Sequence, residues 1–545
     1  MFAELTLAGT YRETQFQAKS VLRRSAGELF LFDRFYRQCD RIRNDRRITR
    51  VLVRAKSSFA TTTVAALEEI HDELRRIVES GTEVYFSASD YRDAHLYLAS
   101  ACSRRTMHPL GSLRCAGLAR NSLFFKRLAD RLGIRVQVAR RGKYKSAMDR
   151  FRLDTIDDAN LEQYQLWLDT SAERLHESIL TGYRIDRPQL DRLLDGALLD
   201  AKAACEAGWI DETISAAGLV ERWKQEKVRR KRIKPKKHAR GKRVAVLVFE
   251  GSILEGRNRM NPLVGQAIGA DTFVKHIDTL RKKRSVRGVV LRVSSGGGSA
   301  IASEDIRTAL ARLAEEKPLV VSMSEIAGSG GYWIATAGAA IYALATTLTG
   351  SIGVINVAAD VGAALAKQGV THSTVRTHPH ADAASGLRPL TEDELAELDG
   401  QVASIYDRFI ELVAKSRDLD PAEVHERAQG RIWSGLHAHA NRLVDHIGGL
   451  TAAIEDATRR AGLERPRFEF YPEVRYSFLE RLLYGSGSRA GVDLRSIVDL
   501  WSTGLGIRAA LASISEIANQ PLLLDPRSLL DADLRLPLDA DIEIE

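Results

Sequence analysis

RITRVLVRAKSS (residues 47–58) and SVRGVVLRVSSG (residues 285–296) are two versions of one stretch, and their likeness decides the fold. Each is a short apolar strand pattern that runs into an amphipathic helix pattern, VAALEEIHDELRRIVESG from Val64 and SEDIRTALARLAEEK from Ser303. A second strand pattern follows in both halves. Alternating strands and helices of this length predict an α/β fold with mostly parallel strand pairing.

The two halves keep a steady offset along the chain. Three matched pairs are 238, 236 and 236 positions apart: Arg54 with Arg292, Ala99 with Ala335, and Gly133 with Gly369. Because chance similarity would not hold such a register, we predict tandem repeats. The predicted divisions are an N-terminal repeat over 1–219, a basic linker over 220–243, a C-terminal repeat over 244–470 and a helical C-terminal extension over 471–545.

Composition suits a soluble protein of two or three domains. The chain has 545 residues, of which 44% are hydrophobic and 28% charged. No apolar run approaches the roughly 18 residues of a membrane span, and the first residues lack the pattern of a signal peptide. The four cysteines form no CxxC pair, which favours free thiols over a zinc site. We expect a soluble chain with no cofactor or metal.

The net charge of +9 is concentrated between the repeats. Residues 220–243 hold 13 Lys and Arg against two Glu, a net charge of +11, so the rest of the chain is close to neutral. Such a run is typical of a solvated linker, with peripheral contact to anionic lipid as the functional alternative. Trp223 is its one aromatic residue, so binding of nucleic acid is not expected.

Two glycine-rich turns in the second half are candidates for chemistry. They are SSGGGS (residues 294–299) and GSGGYW (residues 328–333), each after a predicted strand. Tight turns need glycine for geometry alone, but two together can aim backbone N–H groups at a substrate carbonyl. The second turn places Ser329 at a helix start, where the helix dipole favours an oxyanion.

Ser329 needs a base, because a serine hydroxyl is a weak nucleophile at neutral pH. The histidines of the second half, His372, His378 and His380, lie in a polar stretch and are expected to be solvated. The repeat offers another base: Ser329 corresponds to Asp93, whereas Lys145 corresponds to Ala381. Each half lacks what the other has, which suggests one dyad divided between two repeats. A lysine serves as base only where burial lowers its pKa, and a surface lysine is the alternative reading of Lys145.

Several stretches resemble the signal peptide peptidase A (protease IV) family. They are GVVLRVSSGGGSAIASEDIR from Gly288, VSMSEIAGSGGYWIATA from Val321, TLTGSIGVI from Thr347, GKYKSAMDRF from Gly142 and AQGRIWSGLHAHANRLVDHIGGL from Ala428. The resemblance covers roughly residues 1–470 and includes the tandem layout. It implies two Clp-protease/crotonase-like repeats and a homo-oligomer, a tetramer, shaped as a bowl or dome.

The resemblance also implies a serine peptidase with a Ser/Lys dyad that cleaves remnant signal peptides or other unfolded apolar peptides. It assigns the nucleophile to Ser329, the base to Lys145, the oxyanion hole to Gly330 with Gly297 or Gly298, and support of the amine to Ser351. The family normally has a membrane anchor before its first strand, whereas this sequence starts at that strand. Membrane-associated and cytoplasmic settings therefore both stay open.

Two other functions are compatible with the same residues. One is a non-proteolytic scaffold that binds peptides in the same groove, which would leave Ser329 unreactive toward a fluorophosphonate. The other is a crotonase-like enzyme acting on acyl-thioesters, which would bind acyl-CoA. An intact serine and lysine pair argues against the second.

Overall fold

A computed structural model describes residues 1–14, 28–61, 63–233, 241–261 and 265–472. Apart from residues 471 and 472, the helical extension predicted over 471–545 lies outside the described residues. Among the helices that are described, none combines the length and the apolar character that a membrane span requires. The lipid contact expected of residues 220–243 stays a prediction, since 234–240 also lie outside this set.

The first half is built on a parallel sheet of order β1-β4-β5-β6-β10. Its elements in chain order are β1 (Phe2–Leu7), β2 (Thr10–Arg12), β3 (Leu29–Leu31), α1 (Phe32–Arg43), β4 (Arg50–Ala55), α2 (Val64–Glu79), β5 (Glu83–Ala88), α3 (Asp93–Ser100), β6 (Arg104–Met107), β7 (Ser112–Arg114), α4 (Lys126–Leu132), β8 (Arg135–Arg141), α5 (Asp149–Arg152), α6 (Asp158–Tyr183), α7 (Arg187–Leu194), β9 (Leu198–Asp200), α8 (Ala201–Glu206), β10 (Glu212–Thr213) and α9 (Ala216–Gln225).

The second half has a larger sheet of order β20-β18-β16-β15-β11-β22, in which β17 also pairs with β16 and β21 with β17. Its elements are β11 (Arg243–Glu250), β12 (Ser252–Leu254), β13 (Arg259–Asn261), β14 (Gly265–Gly269), α10 (Ala270–Lys282), β15 (Val286–Ser295), α11 (Ala300–Glu316), β16 (Leu319–Gly328), α12 (Gly330–Ala335), β17 (Ala340–Ala343), β18 (Leu348–Gly350), β19 (Val354–Asp360), α13 (Gly362–Lys367), α14 (Glu392–Arg417), α15 (Pro421–Arg427), β20 (Ile432–Ser434), α16 (Gly435–Ala440), β21 (His446–Ile447), α17 (Leu450–Arg460) and β22 (Phe468–Tyr471).

The duplication predicted from the sequence is visible in how the elements pair. β7 pairs antiparallel with β9, and its counterpart β18, 236 positions later, pairs antiparallel with β20. The long helices α6 and α14 also correspond, and each has 26 residues. The fold is therefore α/β with two tandem repeats, as expected.

The predicted boundary at residue 219 falls inside a helix. α9 continues to Gln225, and its Leu219 and Trp223 are buried in a small cluster with Phe2 and Leu52. Residues 220–225, assigned to the basic linker from their charge, therefore pack with the first half. Trp223 anchors them, because an aromatic side chain on the buried face outweighs the charges on the other face.

All four cysteines are free thiols, as their spacing predicts. Cys39, Cys102 and Cys115 are buried, whereas Cys205 is partly exposed. Burial raises the pKa of Cys102 to about 12, so this thiol stays protonated at neutral pH.

One strand pairing joins the two halves and breaks the repeat. β8 of the first half pairs antiparallel with β19 of the second, from Arg135 opposite Asp360 to Arg141 opposite Val354. The repeat equivalents of these strands, residues 371–377 and 118–124, form no strand. Gly133 and Gly369 match in register, but the segments that contain them, LGIRVQVARR (residues 132–141) and QGVTHSTVRT (residues 368–377), differ in conformation.

Helix α2 is a further contact of the first half with the second, through β16. The sequence pattern predicts an amphipathic helix, yet Glu68, Glu69 and Glu73 are buried as well as its apolar residues. The reason is that each carboxylate has a partner: Glu68 contacts Arg174, Glu69 contacts Arg292 and Glu73 contacts Arg43. Buried charges paired in this way do not register as core positions in a hydrophobic pattern.

Arg292 is a fully buried charge between the halves. It lies on β15 with no exposed surface, and its Nη2 is 3.0 Å from Glu13 Oε1 and 2.8 Å from Glu69 Oε2. Its Nε also donates to Glu13 Oε2 at 3.2 Å, and the hydroxyls of Ser322 and Ser324 accept hydrogen bonds from it at 2.9 and 3.0 Å. Burial raises the pKa of Glu69 more than the charge of Arg292 lowers it, so this pKa rises to about 7.

We predict that Arg292→Ala strongly destabilises the protein. It leaves the carboxylates of Glu13 and Glu69 buried without their cation, which costs about 3–5 kcal/mol of unfolding free energy. Urea unfolding followed by circular dichroism measures this loss. Arg75→Ala is the control, because the Arg75 side chain is 50% exposed and pairs only within α2. A loss of unfolding free energy below about 1 kcal/mol for Arg292→Ala would contradict a stabilising role of the Arg292 ion pairs.

Candidate active site

Ser329 lies at a sharp turn between β16 and α12. Its backbone has φ 55° and ψ −118°, which costs a non-glycine residue on the order of 1–3 kcal/mol. The turn is held because Ser329 N–H donates to the carbonyl of Gly350 at 2.9 Å. A Cβ on Gly330 would lie 2.6 Å from Ser303 Oγ, so a larger residue there would have to displace that hydroxyl. The strain points the hydroxyl into the site from a fixed backbone.

The first glycine-rich turn lies beside Ser329. Gly298 has φ 154°, and a Cβ on it would lie 2.0 Å from the carbonyl oxygen of Ile253. Ile253 N–H donates to the carbonyl of Gly297 at 2.9 Å, so this turn follows β12 as an extended segment. A Cβ on Gly330 would lie 3.3 Å from Gly297 Cα, which shows how closely the two turns approach.

Lys145 enters this site because β8 crosses to the second half. Arg141, the last residue of β8, lies opposite Val354, which is three residues beyond Ser351. The turn after β8 therefore carries Lys145 to Ser351. A Cβ on Gly430 would lie 2.6 Å from Lys145 Cβ, so the turn needs glycine at its neighbour to approach this closely.

The amine of Lys145 contacts three oxygen atoms. Its Nζ is 2.8 Å from Ser329 Oγ and 2.9 Å from both the carbonyl oxygen and Oγ of Ser351. Only 2% of Lys145 is exposed, and Ser329 has no exposed surface. The base and nucleophile implied by the resemblance are therefore brought together within one chain, with Ser351 beside them.

Burial lowers the pKa of Lys145 from 10.5 to about 7. The cause is desolvation, and no carboxylate within the described residues contacts the amine to favour its charged form. Near neutral pH a large fraction of the amine is thus unprotonated and can accept a proton. This is the property that the sequence could not establish for Lys145.

The other candidate bases lie elsewhere. His372, His378 and His380 are exposed, and His380 contacts Glu394 at 3.0 Å. Asp93, the counterpart of Ser329, begins α3, and its carboxylate accepts hydrogen bonds from the backbone N–H groups of Gly117 and Ala116. In the first half, the position that corresponds to Ser329 therefore has a structural role.

A second serine lies near a histidine in the first half, but it is closed. His71 Nε2 is 3.0 Å from Ser100 Oγ, whose hydroxyl donates to the carbonyl of Tyr97 at 2.6 Å. A Cβ on Gly182 would lie 2.7 Å from Ser100 Cβ, so α6 packs directly against this serine. No room remains for a substrate carbonyl there.

The residues that support the pair were not predicted from the sequence. Trp167 of α6 donates through Nε1 to the carbonyl of Thr346 at 3.2 Å, and Glu68 accepts from Thr346 N and Oγ1 at 3.1 and 2.7 Å. These bonds hold the turn that leads into β18 and Ser351. Glu68 is unremarkable in a helix pattern, whereas a tryptophan among the polar residues of α6 is a signal that could have been read.

The fold and this geometry define a class. A buried serine at a strand-to-helix turn, in contact with a buried amine and beside a glycine-lined turn, is the layout of a serine hydrolase. Comparison with known proteins identifies the family within this class. Peptidase family S49 matches the chain twice, at residues 76–229 and 311–464. The chain belongs to peptidase family S49, and it is a serine peptidase.

Individual relatives support this assignment over most of the chain. Protease 4 of Salmonella typhi is 31% identical over 452 residues, which cover 79% of this chain and 72% of the relative. Serine protease SPPA, chloroplastic, of Arabidopsis thaliana is 29% identical over 474 residues, covering 82% and 69%. Putative signal peptide peptidase SppA of Enterococcus faecium is 32% identical over 226 residues, covering 41% and 65%.

We predict that Lys145→Met stabilises the fold at neutral pH. Between pH 10.5 and about 7 the unfolded chain binds a proton at this lysine that the folded chain does not, so the amine favours unfolding. Its removal should raise the unfolding free energy by up to about 4 kcal/mol near pH 7.5, because three pH units separate this pH from 10.5, and the gain should shrink toward pH 10.5. Urea unfolding over this pH range measures it.

The control is Lys143→Met, because Lys143 lies two residues away on the same turn and is exposed. It should change stability little at any of these pH values. A Lys145→Met protein that is less stable than the unaltered protein at pH 7.5 would contradict the conclusion that burial of the Lys145 amine destabilises the fold.

Proposed function

We propose that this peptidase works through a dyad in which Ser329 is the nucleophile and Lys145 is the general base. The observation that carries the proposal is the 2.8 Å contact between the two side chains in a buried site where the lysine pKa is about 7. A neutral amine has two N–H donors and one lone pair. The two donors match the carbonyl and hydroxyl oxygens of Ser351, which leaves the lone pair for the Ser329 hydroxyl.

The reaction then proceeds in two stages. Lys145 takes the hydroxyl proton as Ser329 Oγ attacks the peptide carbonyl carbon, and the resulting ammonium returns that proton to the leaving amine. Water then attacks the acyl-enzyme, again giving its proton to Lys145, and the acid product leaves as Ser329 regains a proton. Ser351 orients the amine throughout, since two of its oxygens are in contact with Nζ.

Two backbone N–H groups are suited to hold the oxyanion. Gly330 is the first residue of α12, so its N–H has no partner within that helix. Gly298 N–H points away from β12, because Ile253 bonds the flanking carbonyl of Gly297 and N–H of Ser299. Gly297 N–H donates to Ser295 Oγ at 3.1 Å, which favours Gly298 over Gly297 for this role.

The substrate class we propose is unfolded, apolar peptide, such as the remnant of a signal peptide. Ser329 has no exposed surface, so a scissile bond reaches it only in a segment that can extend into the site. The extended backbone at residues 297–299 offers one such segment a strand-like partner. A relative in Enterococcus faecium is named a putative signal peptide peptidase.

The dyad is tested with Ser329→Ala and Lys145→Ala on a fluorogenic apolar peptide. Each should lower kcat/KM by on the order of 10³-fold or more, whereas Lys143→Ala should not. In the unaltered protein, kcat/KM should rise with pH up to about 7 and then level off, because the neutral amine is the active form. Full activity in Lys145→Ala, or a fluorophosphonate adduct on a residue other than Ser329, would refute the dyad.

We further propose that copies of the chain assemble head to tail. The repeat equivalents of β8 and β19, residues 371–377 and 118–124, have no strand partner in the described chain and expose Val375 fully and Leu123 by 50%. Pairing 371–377 of one copy with 118–124 of the next would repeat the β8–β19 contact. Such a contact joins different surfaces and gives a ring when the rotation between copies closes, and the ring that we propose is a tetramer.

The assembly is tested by sedimentation of the protein with Val375→Lys and Leu123→Lys. The unaltered protein should sediment as a multiple of its 60.4 kDa chain, and each variant should shift toward the single chain. Leu436→Lys is the control, since Leu436 is equally exposed (49%) and lies outside both segments. A monomeric unaltered protein would rule the proposal out.

A further inference from the structure

Gln163 is a buried amide in the first half that the chemistry described above does not use. It is the sixth residue of α6, and only 1% of it is exposed. A glutamine is rarely buried unless both ends of its amide are bonded. The hydrogen bonds of Gln163 explain why its amide is buried.

The amide of Gln163 bonds backbone groups from both halves of the protein. Its Nε2 donates to the carbonyl of Tyr144 at 3.2 Å, and its Oε1 accepts from the N–H of Ile432 at 3.0 Å. Nε2 also donates to Asn160 Oδ1 at 2.6 Å, one turn earlier on α6. The side chain therefore bridges two segments that are far apart in sequence.

These two segments carry the two sides of the lysine contact. Tyr144 precedes Lys145, so its carbonyl is part of the turn that sets the start of the lysine side chain. Ile432 lies opposite Gly350 in the β18–β20 pair, and the carbonyl of Arg431 accepts from the N–H of Ser351 at 2.7 Å. Gln163 thus bonds the backbone next to Lys145 and the backbone that holds Ser351.

We propose that Gln163 is a positioning residue, which holds Lys145 at hydrogen-bonding distance from Ser351 and Ser329 by fixing both backbones with one amide. This inference rests on the proposed dyad. The contact it supports joins residues 206 and 184 positions apart, so neither half alone sets it. Catalytic rates are sensitive to misplacement of reacting groups by about 1 Å.

A surface ion pair bridges the same two segments but fixes their geometry less than the Gln163 amide does. Arg431 contacts Glu162 at 2.6 Å and the Tyr144 hydroxyl at 3.1 Å. The Glu162 side chain is 51% exposed, and exposed ion pairs contribute little to a fixed geometry. The buried, uncharged amide is the element that holds the position.

The test uses Gln163→Leu and Gln163→Glu in the full chain. Leu removes both backbone bonds, so kcat should fall by on the order of tenfold or more while KM changes less than about twofold. The rate at which a fluorophosphonate labels Ser329 should fall in the same proportion, because it reports activation of the nucleophile without peptide binding. Gln165→Leu is the matched control, since Gln165 is exposed and bonds only Asp169 on its own helix.

Gln163→Glu keeps the shape and the acceptor for Ile432 N–H, which guards against a Leu variant that fails to fold. An ionised carboxylate cannot donate to Tyr144, and it favours the ammonium form of Lys145, so the acid limb of the pH profile should move to higher pH. Gln165→Glu should leave that limb in place. The charged groups already around the lysine turn, common to these variants, are Arg140, Lys143, Asp149 and Arg152 on its own segment, Glu162 on α6 and Arg431 beside β20.

The outcomes separate this inference from the dyad. If Ser329→Ala and Lys145→Ala are inactive but both Gln163 variants keep kcat, the labelling rate and the pH profile, Gln163 has no positioning role and the dyad stands. Lower thermal stability with unchanged kcat and labelling would likewise overturn the inference, because a purely structural residue behaves in that way. If Lys145→Ala is active, the dyad itself fails.

Discussion

Removal of the Lys145 amine from water is the constraint on which the rest of the site depends. An ammonium group in a buried site without a carboxylate partner is unfavourable, and the pKa falls to about 7 for that reason alone. Had a glutamate been in contact, the amine would have stayed charged and could not accept a proton from Ser329. The residues that do contact it, the two serines, are neutral and so preserve the lowered pKa.

Burial of this amine requires both halves, because neither repeat encloses it alone. The first half supplies the lysine turn and α6, and the second supplies the two serines and the segment at 429–432. The contact between halves is itself made of buried charges, with Arg292 bonded to Glu13 and Glu69. Buried ion pairs add little net stability but penalise misalignment heavily, since a displaced partner leaves a charge unpaired. Such an interface keeps the two halves aligned, which a site formed by residues of both halves requires.

Much of this arrangement was accessible from the sequence, and the division between what was and was not is physical. Strand and helix patterns and the offset of 236 are local or periodic, so the duplicated α/β fold and the turn at Ser329 could be predicted. The pairing of β8 with β19 could not, because a repeat predicts equivalent contacts and this one crosses between halves. The role of Lys145 therefore needed the family resemblance. Glu68, Gln163 and Arg292 were missed because polar groups buried by mutual bonding leave no hydrophobic pattern.

Duplication explains why the site is divided rather than doubled. Two complete sites would need a nucleophile turn and a lysine turn in each repeat, but Asp93 occupies the nucleophile position of the first half and bonds the backbone at Ala116 and Gly117. With that position closed, the lysine turn of the second half has no partner to serve, and Ala381 stands there. Under the proposed dyad, residues 371–377 have no base to position, and they form no strand in the described chain. The proposed dyad thus leaves one segment of each repeat without a strand partner, because the site that it forms depends on the contact between the halves.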